Sequence, residues 1–329
     1  MKIVIYERTA QNRGEIEFIR ETLAPGLSAC GDDVEISLAK YVECDVAVIL
    51  WSPRNGSPER ARAARAVRNL HGKNLLIFET PVIRAIKQWH FRVGFDHVHR
   101  GGRFCPAIAR TDRAKAMGLT LAPWKPGAAP VIIAGQLPGD FSLDGVDITE
   151  WVTDVADHVQ RVSRRPLIIR PHPFDYSPDW LQVCAALGAE ISREPLQHDL
   201  ARAGTWIAYT SGSAVDAVMA GVPTICMSEA NFAWDVSSHS LASLDKPWIG
   251  ERSQWLENLA HAQWTNDEIG EGLCWRCLRS LVETVGDDSL APGEACDDQR
   301  RPARRVGRSE RSGESGGLSC MPRISSRRI

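Results

Sequence analysis

Short, almost wholly apolar segments separated by helical stretches recur twice along this chain, and that recurrence limits the fold more than any other feature. In the first half, KIVIY (Lys2–Tyr6), DVAVIL (Asp45–Leu50) and NLLIF (Asn74–Phe78) read as strands without polar alternation. A strand buried on one face alternates, whereas one buried on both does not. These segments therefore belong to a parallel sheet covered by helices on each side. Between them lie Glu15–Leu23, with Ile16, Ile19 and Leu23 on one face, and Glu59–Leu70, with Pro58 at its first helical position. The pattern restarts with Val131–Ala134, PLIIR (Pro166–Arg170), TWIAYT (Thr205–Thr210) and PTICM (Pro223–Met227). Helices are predicted over Ile148–Val162, Asp179–Leu187, Ala214–Ala220, Gln254–Leu259 and Asp267–Val285.

From Trp89 to Pro130 the pattern breaks into Gly, Pro, Arg and aromatic residues, read as a long loop region. It leads into a linker at Ala122-Pro123-Trp124-Lys125-Pro126-Gly127. The expected fold is α/β, with two Rossmann-like domains over residues 1–125 and 126–285, and 329 residues suit two domains of about 150. A disordered Arg/Ser/Gly tail is expected over 286–329, where no periodic apolar face could build a core. No apolar run approaches the ~20 residues that span a bilayer. Nine scattered cysteines suit a reducing cytosol better than a disulfide framework. The one close pair, Cys274-Trp275-Arg276-Cys277, lacks a second pair at zinc spacing, so no metal is expected. After Gln299 the chain has nine arginines against two glutamates, and the rest is acidic, unlike a protein built to coat nucleic acid.

The chemistry-bearing residues stand where predicted strands end. Ser211-Gly212-Ser213 follows TWIAYT and opens a helix, so amide groups and small hydroxyls meet the positive end of a dipole that favours an anion. An ordinary serine cap without a ligand would look the same. Arg170-Pro171-His172-Pro173 follows PLIIR at the carboxyl edge where open α/β sheets bind ligands. Its prolines restrict where His172 points, and arginine and histidine can pair with a diphosphate. A rigid turn is the plainer alternative. Glu229 follows PTICM and could accept hydrogen bonds from sugar hydroxyls. Gly135, opening Gly135-Gln136-Leu137-Pro138-Gly139-Asp140, permits close approach of a ligand. On the acceptor side, Glu7 and Arg8 follow the first strand and Glu79-Thr80 the third, while His90, Arg92, Asp96, His97 and His99 crowd the irregular segment. One of these could be a general base. Eight basic residues (Arg84, Lys87, Arg92, Arg100, Arg103, Arg110, Arg113, Lys115) lie there too and could track phosphates.

The two α/β halves, RPHP after a strand and the run TSGSAVDAVMAGVPTIC together resemble GT-B glycosyltransferases, specifically those of bacterial capsule and surface carbohydrate. The segments at Gly135–Asp140, Ala233–Val236, Gln254–Leu256 and Ala262–Thr265 are similar to a phage- and prophage-encoded GT-B-like set, some of which modify DNA bases. The resemblance covers residues 130–280 most specifically. It implies that His172, Ser211, Gly212, Ser213 and Glu229 line a nucleotide-sugar site and that the catalytic base comes from the first domain.

The resulting expectation is a cytoplasmic glycosyltransferase (in host cytoplasm if phage-encoded). His172 would be catalytic, and Arg170, Ser211, Gly212, Ser213, Glu229 and Gly135 would hold the donor. Glu7, His90, Asp96, Arg100 and Arg103 would be acceptor-side candidates. The co-substrate would be a nucleotide-sugar, UDP-linked by expectation, with no further cofactor. The acceptor would be a hydroxymethylated DNA base or a surface carbohydrate. A nucleotide-sugar epimerase, a glycerophosphotransferase and a non-catalytic nucleic-acid-binding protein are the alternatives.

Overall fold

A computed structural model of the chain describes residues 1–283 apart from 8–11, 39, 52–57, 85, 87, 108–111, 126, 128 and 129. The expected tail over 286–329 lies outside the described residues, as do Arg8, Lys87 and Arg110. The strands are β1 (Lys2–Tyr6), β2 (Asp33–Ser37), β3 (Val46–Leu50), β4 (Leu75–Glu79), β5 (His90–Phe95), β6 (Val131–Ala134), β7 (Leu167–Arg170), β8 (Glu190–Ile191), β9 (Thr205–Ala208), β10 (Thr224–Cys226) and β11 (Gln263–Thr265).

They form two sheets, in the orders β11-β5-β4-β3-β1-β2 and β10-β9-β6-β7-β8. The second is parallel throughout. In the first, β1 to β4 are parallel and β5 runs antiparallel to both its neighbours, β4 and β11. Each sheet is packed on both faces, as its continuous apolar strands require. The helix Ile148–Val162 shows why the local signal sufficed. Asp147 accepts from the amides of Thr149 and Glu150, and Ile148, Val152, Val155, Ala156 and Val159 form one buried stripe. This is an α/β fold of two Rossmann-like sheets. Among the described residues no helix is long and apolar enough to cross a membrane.

Two features differ from the sequence expectations. The segment read as loop from Trp89 contains β5, and the stretch assigned to the second domain returns to the first sheet at β11. Trp264, Ile269, Cys274, Trp275 and Leu278 are buried in the core beneath that sheet. Asp32 fastens the return by accepting hydrogen bonds from the Met1 amino group, the Trp275 indole and the Arg279 guanidinium. These contacts hold the Asp32 carboxyl well below the usual carboxylate range, the Arg279 bond contributing most. The same return brings Cys277 to Cys105, with Cα atoms 5.9 Å apart and the sulfurs bonded, where the sequence suggested free thiols. Their separation of 172 residues gives no local sign of the pairing.

Candidate active site

In the second sheet the strand order reverses between β6 and β9, which lie side by side and send their connections to opposite sides. Loops leaving the carboxyl ends of such strands form a crevice that open α/β sheets use for ligands. Here the loop after β6 brings Gln136, Asp140 and Ser142, the loop after β9 brings Thr210, Ser211 and Gly212, and β7 ends near His172. The facing wall comes from the first sheet: Glu79, Thr80 and Arg84 at and beyond the end of β4, Arg92 on β5, and His99 beyond it. Ala230 and Phe232 complete a cleft of about 180 Å³. A larger hollow of about 630 Å³ beside Arg164–Pro166, Gly204 and Thr205 lies at the amino ends of β7 and β9. Its position at that edge makes it the weaker candidate.

The second-sheet wall is preorganised by hydrogen bonds. Gln136 Nε2 donates to Ser142 Oγ at 2.7 Å, Ser142 Oγ donates to Asp140 at 2.7 Å, and Thr210 Oγ1 donates to Gln136 Oε1 at 3.0 Å. Asn231 braces the next turn by donating to the carbonyls of Tyr209 and Ser211. His172 Nδ1 accepts the Phe174 amide hydrogen at 3.2 Å, so in the neutral ring the proton sits on Nε2. Burial, followed by the charge of Arg84, holds the His172 pKa below its ordinary value. Arg84 lies against the turn, and a Cβ on Gly212 would be 3.4 Å from its Nη2.

The structure brings His172, Ser211 and Gly212 together and places the other sequence candidates elsewhere. Arg170 points away from the cleft, with Nη1 2.5 Å from the buried Asp199 carboxylate. Ser213 is buried, and its Oγ lies 2.9 Å from Ser211 Oγ and 3.3 Å from the Trp206 indole nitrogen. Glu229 is exposed and does not line the cleft. Gly135 serves packing: a Cβ there would sit 3.4 Å from the Arg170 carbonyl oxygen and from Pro171 Cα. The useful residues of its loop are Gln136 and Asp140.

Among the acceptor-side candidates, Glu7 is buried in a forked pair with Arg20 at 3.1 to 3.2 Å. His90 is buried, its Nδ1 2.6 Å from the Gln88 carbonyl oxygen. Asp96 accepts the Leu75 amide hydrogen, at the opposite end of β4 from the cleft, and pairs with Arg103 at 2.6 Å. Arg100 forms a two-pronged pair with Asp235, at 2.6 and 3.0 Å. Glu79, Arg84, Arg92 and His99 line the cleft although nothing local in the sequence distinguishes them from their neighbours. Phe232 carried no signal at all. Among the described residues no group of three or more His, Cys, Asp or Glu is placed to hold a metal ion.

Asp216, in the helix that follows the turn, has a buried Oδ2 without a hydrogen-bond partner. Burial raises its pKa from 3.8 to about 6, with Arg84 acting in the opposite sense. The unfolded carboxyl loses its proton near pH 4, while the folded one keeps it to about pH 6. Stability therefore falls as pH rises through that window, and the full cost, up to about 3 kcal/mol, stands above it. Asp216→Asn should raise the melting temperature by several degrees at pH 8 and leave it unchanged near pH 4, as calorimetry at the two values would show.

No family model matches the chain, and no curated protein matches its sequence. Solved structures do. The beta Kdo 2,7 transferase of Thermosulfurimonas dismutans KpsC is 13% identical with a TM-score of 0.47, covering 84% of this chain and 100% of that one. The beta Kdo 2,4 transferase of the same protein is 14% identical with a TM-score of 0.45, covering 80% and 90%. The UDP-GlcNAc 2-epimerase of Methanocaldococcus jannaschii is 11% identical with a TM-score of 0.29, covering 85% and 99%. The functional reading rests on the cleft's own geometry.

Proposed function

We propose that the protein is a glycosyltransferase that takes a sugar from a nucleotide-sugar held by the second sheet and passes it to an acceptor entering along the first. The observation that carries this reading is the cleft at the strand-order reversal, where Arg84, the His172 Nε2 hydrogen and the Ser211-Gly212 turn converge. Positive and N–H groups at that place would stabilise the diphosphate as its bond to the anomeric carbon breaks. The acceptor hydroxyl would attack the same carbon and give its proton to Glu79, the carboxylate that ends β4 on the facing wall. Glu79 is held in place by the Thr80 amide at 2.7 Å, and Asp140, the other carboxylate of the cleft, is held by the Ser142 amide and hydroxyl.

A carbohydrate hydroxyl is favoured over a DNA base. Three of the eight basic residues that would track phosphates are committed internally: Arg100 to Asp235, Arg103 to Asp96, and Arg113 to Glu268. Neutralising Arg100 and Arg103 should therefore disturb the fold and not a salt-dependent DNA affinity.

The test is a thermal-shift screen against UDP-, GDP-, CDP-, CMP- and dTDP-sugars, followed by transfer of labelled sugar from the donor that binds. At a hundred times its Kd a specific donor adds about 2.7 kcal/mol and raises the melting temperature by several degrees. His172→Ala should lower turnover about a hundredfold with little change in melting temperature. Absence of any stabilising nucleotide-sugar would overturn the reading, and sugar isomerisation without an acceptor would point to an epimerase.

A further inference from the structure

Arg92 has no ion pair or hydrogen bond from its guanidinium among the described residues. Its Nε is buried without a partner, and its Cζ lies 5.2 Å from the centre of the Phe232 ring. Glu79 stands opposite it in the β4–β5 register, and its charge and that of Asp140 act on Arg92 without a bond to it. Other arginines of the same region behave differently: Arg100, Arg103 and Arg113 each grip a carboxylate at 2.6 Å. A desolvated guanidinium whose N–H groups meet no acceptor is costly even with carboxylates some way off, so a site that keeps one has room for an anion that bonds to it.

His99 lies on the same wall. Burial, followed by His97 and Arg92, pushes its pKa down to about 4, so the ring is neutral near pH 7. Its Nδ1 accepts the Gly101 amide hydrogen at 3.1 Å, which leaves the proton on Nε2 as a donor. Two arginine–histidine pairs thus face the cleft: Arg84 reaches across from the first-sheet wall to the Ser211-Gly212 turn and acts on His172, while Arg92 acts on His99 within the first-sheet wall. The donor reading uses the first pair and leaves the second.

We propose that Arg92 and His99 bind an oxyanion carried by the acceptor, so that the enzyme glycosylates an acidic acceptor, not a neutral one. This deepens the glycosyltransferase reading and rests on it. A planar guanidinium takes two oxygens of a carboxylate or phosphate at once, so either source fits, a uronic acid or a phosphorylated sugar. The experiment uses the full chain and three probes (glucuronate, glucose 6-phosphate and glucose), with binding followed by ligand-observed NMR. Glucuronate or glucose 6-phosphate should bind at least tenfold more tightly than glucose, and the better of the two names the source. Arg92→Gln should abolish that preference, while Arg92→Lys, which keeps the charge without the fork, should weaken it severalfold. UDP binding is measured alongside, because it reports the donor reading independently, and Arg92→Gln should leave it unchanged. Equal binding of all three probes, an unchanged preference in Arg92→Gln, or loss of UDP binding in that variant would each overturn the assignment.

Discussion

Asp199→Ala is expected to destabilise the protein by about 3–5 kcal/mol, the usual cost of stripping the partner from a buried charge. Asp199 is fully buried and accepts from Arg170 Nη1 at 2.5 Å, Ser192 Oγ at 2.7 Å, and Arg202 Nε and Nη2 at 3.1 and 2.8 Å. Arg202 can turn to Glu190, 2.7 Å from its Nη1. Arg170 cannot turn to solvent, since its side chain is only 11% exposed. The loss would therefore fall on Arg170, and replacing both Arg170 and Asp199 by leucine or methionine should recover part of it. Urea titration would measure each variant. Wild-type stability in Asp199→Ala would mean that Arg170 is not anchored there, and would return it to the list of donor ligands.

Gly26→Ala should cost about 3 kcal/mol, the upper end for overpacking. A Cβ at this position would lie within van der Waals overlap of the Ile269 carbonyl oxygen, and also of its carbon at 2.9 Å. Because the obstacle is backbone, no change of rotamer relieves it. The helices Ala24–Ser28 and Asn266–Gly270 would have to separate, loosening the segment that carries β11 and Trp275. Hydrogen exchange should accelerate first over residues 263–281 and leave β6 to β10 protected. Unchanged protection there would show that the return to the first sheet is placed wrongly.

That return also marks the limit of sequence reading. β11 is three residues long, and its pairing with β5 joins positions more than 160 apart in the chain. β5 itself carries glycine, arginine and histidine in HFRVGF, which hid it among the surrounding irregular residues. Neither strand has a periodic pattern strong enough to stand out before the fold supplies its partner.

What the sequence alone determined was local: the doubly buried strands, the capped helices between them, and the turns at their carboxyl ends that place His172 and Ser211-Gly212. Apolar periodicity and backbone geometry act over a few residues, and these features depend on nothing more distant. The tertiary structure decided which charged residues are occupied. Arg170 and Arg92 both belong to strands, and their neighbours in sequence marked the wrong one as the ligand-binding candidate. A carboxylate 29 positions away takes the first, while the second meets an aromatic ring and an open cleft. Whether an arginine is a strut or a ligand depends on what the fold brings within about 4 Å of it, and that distance is not written in the order of the residues.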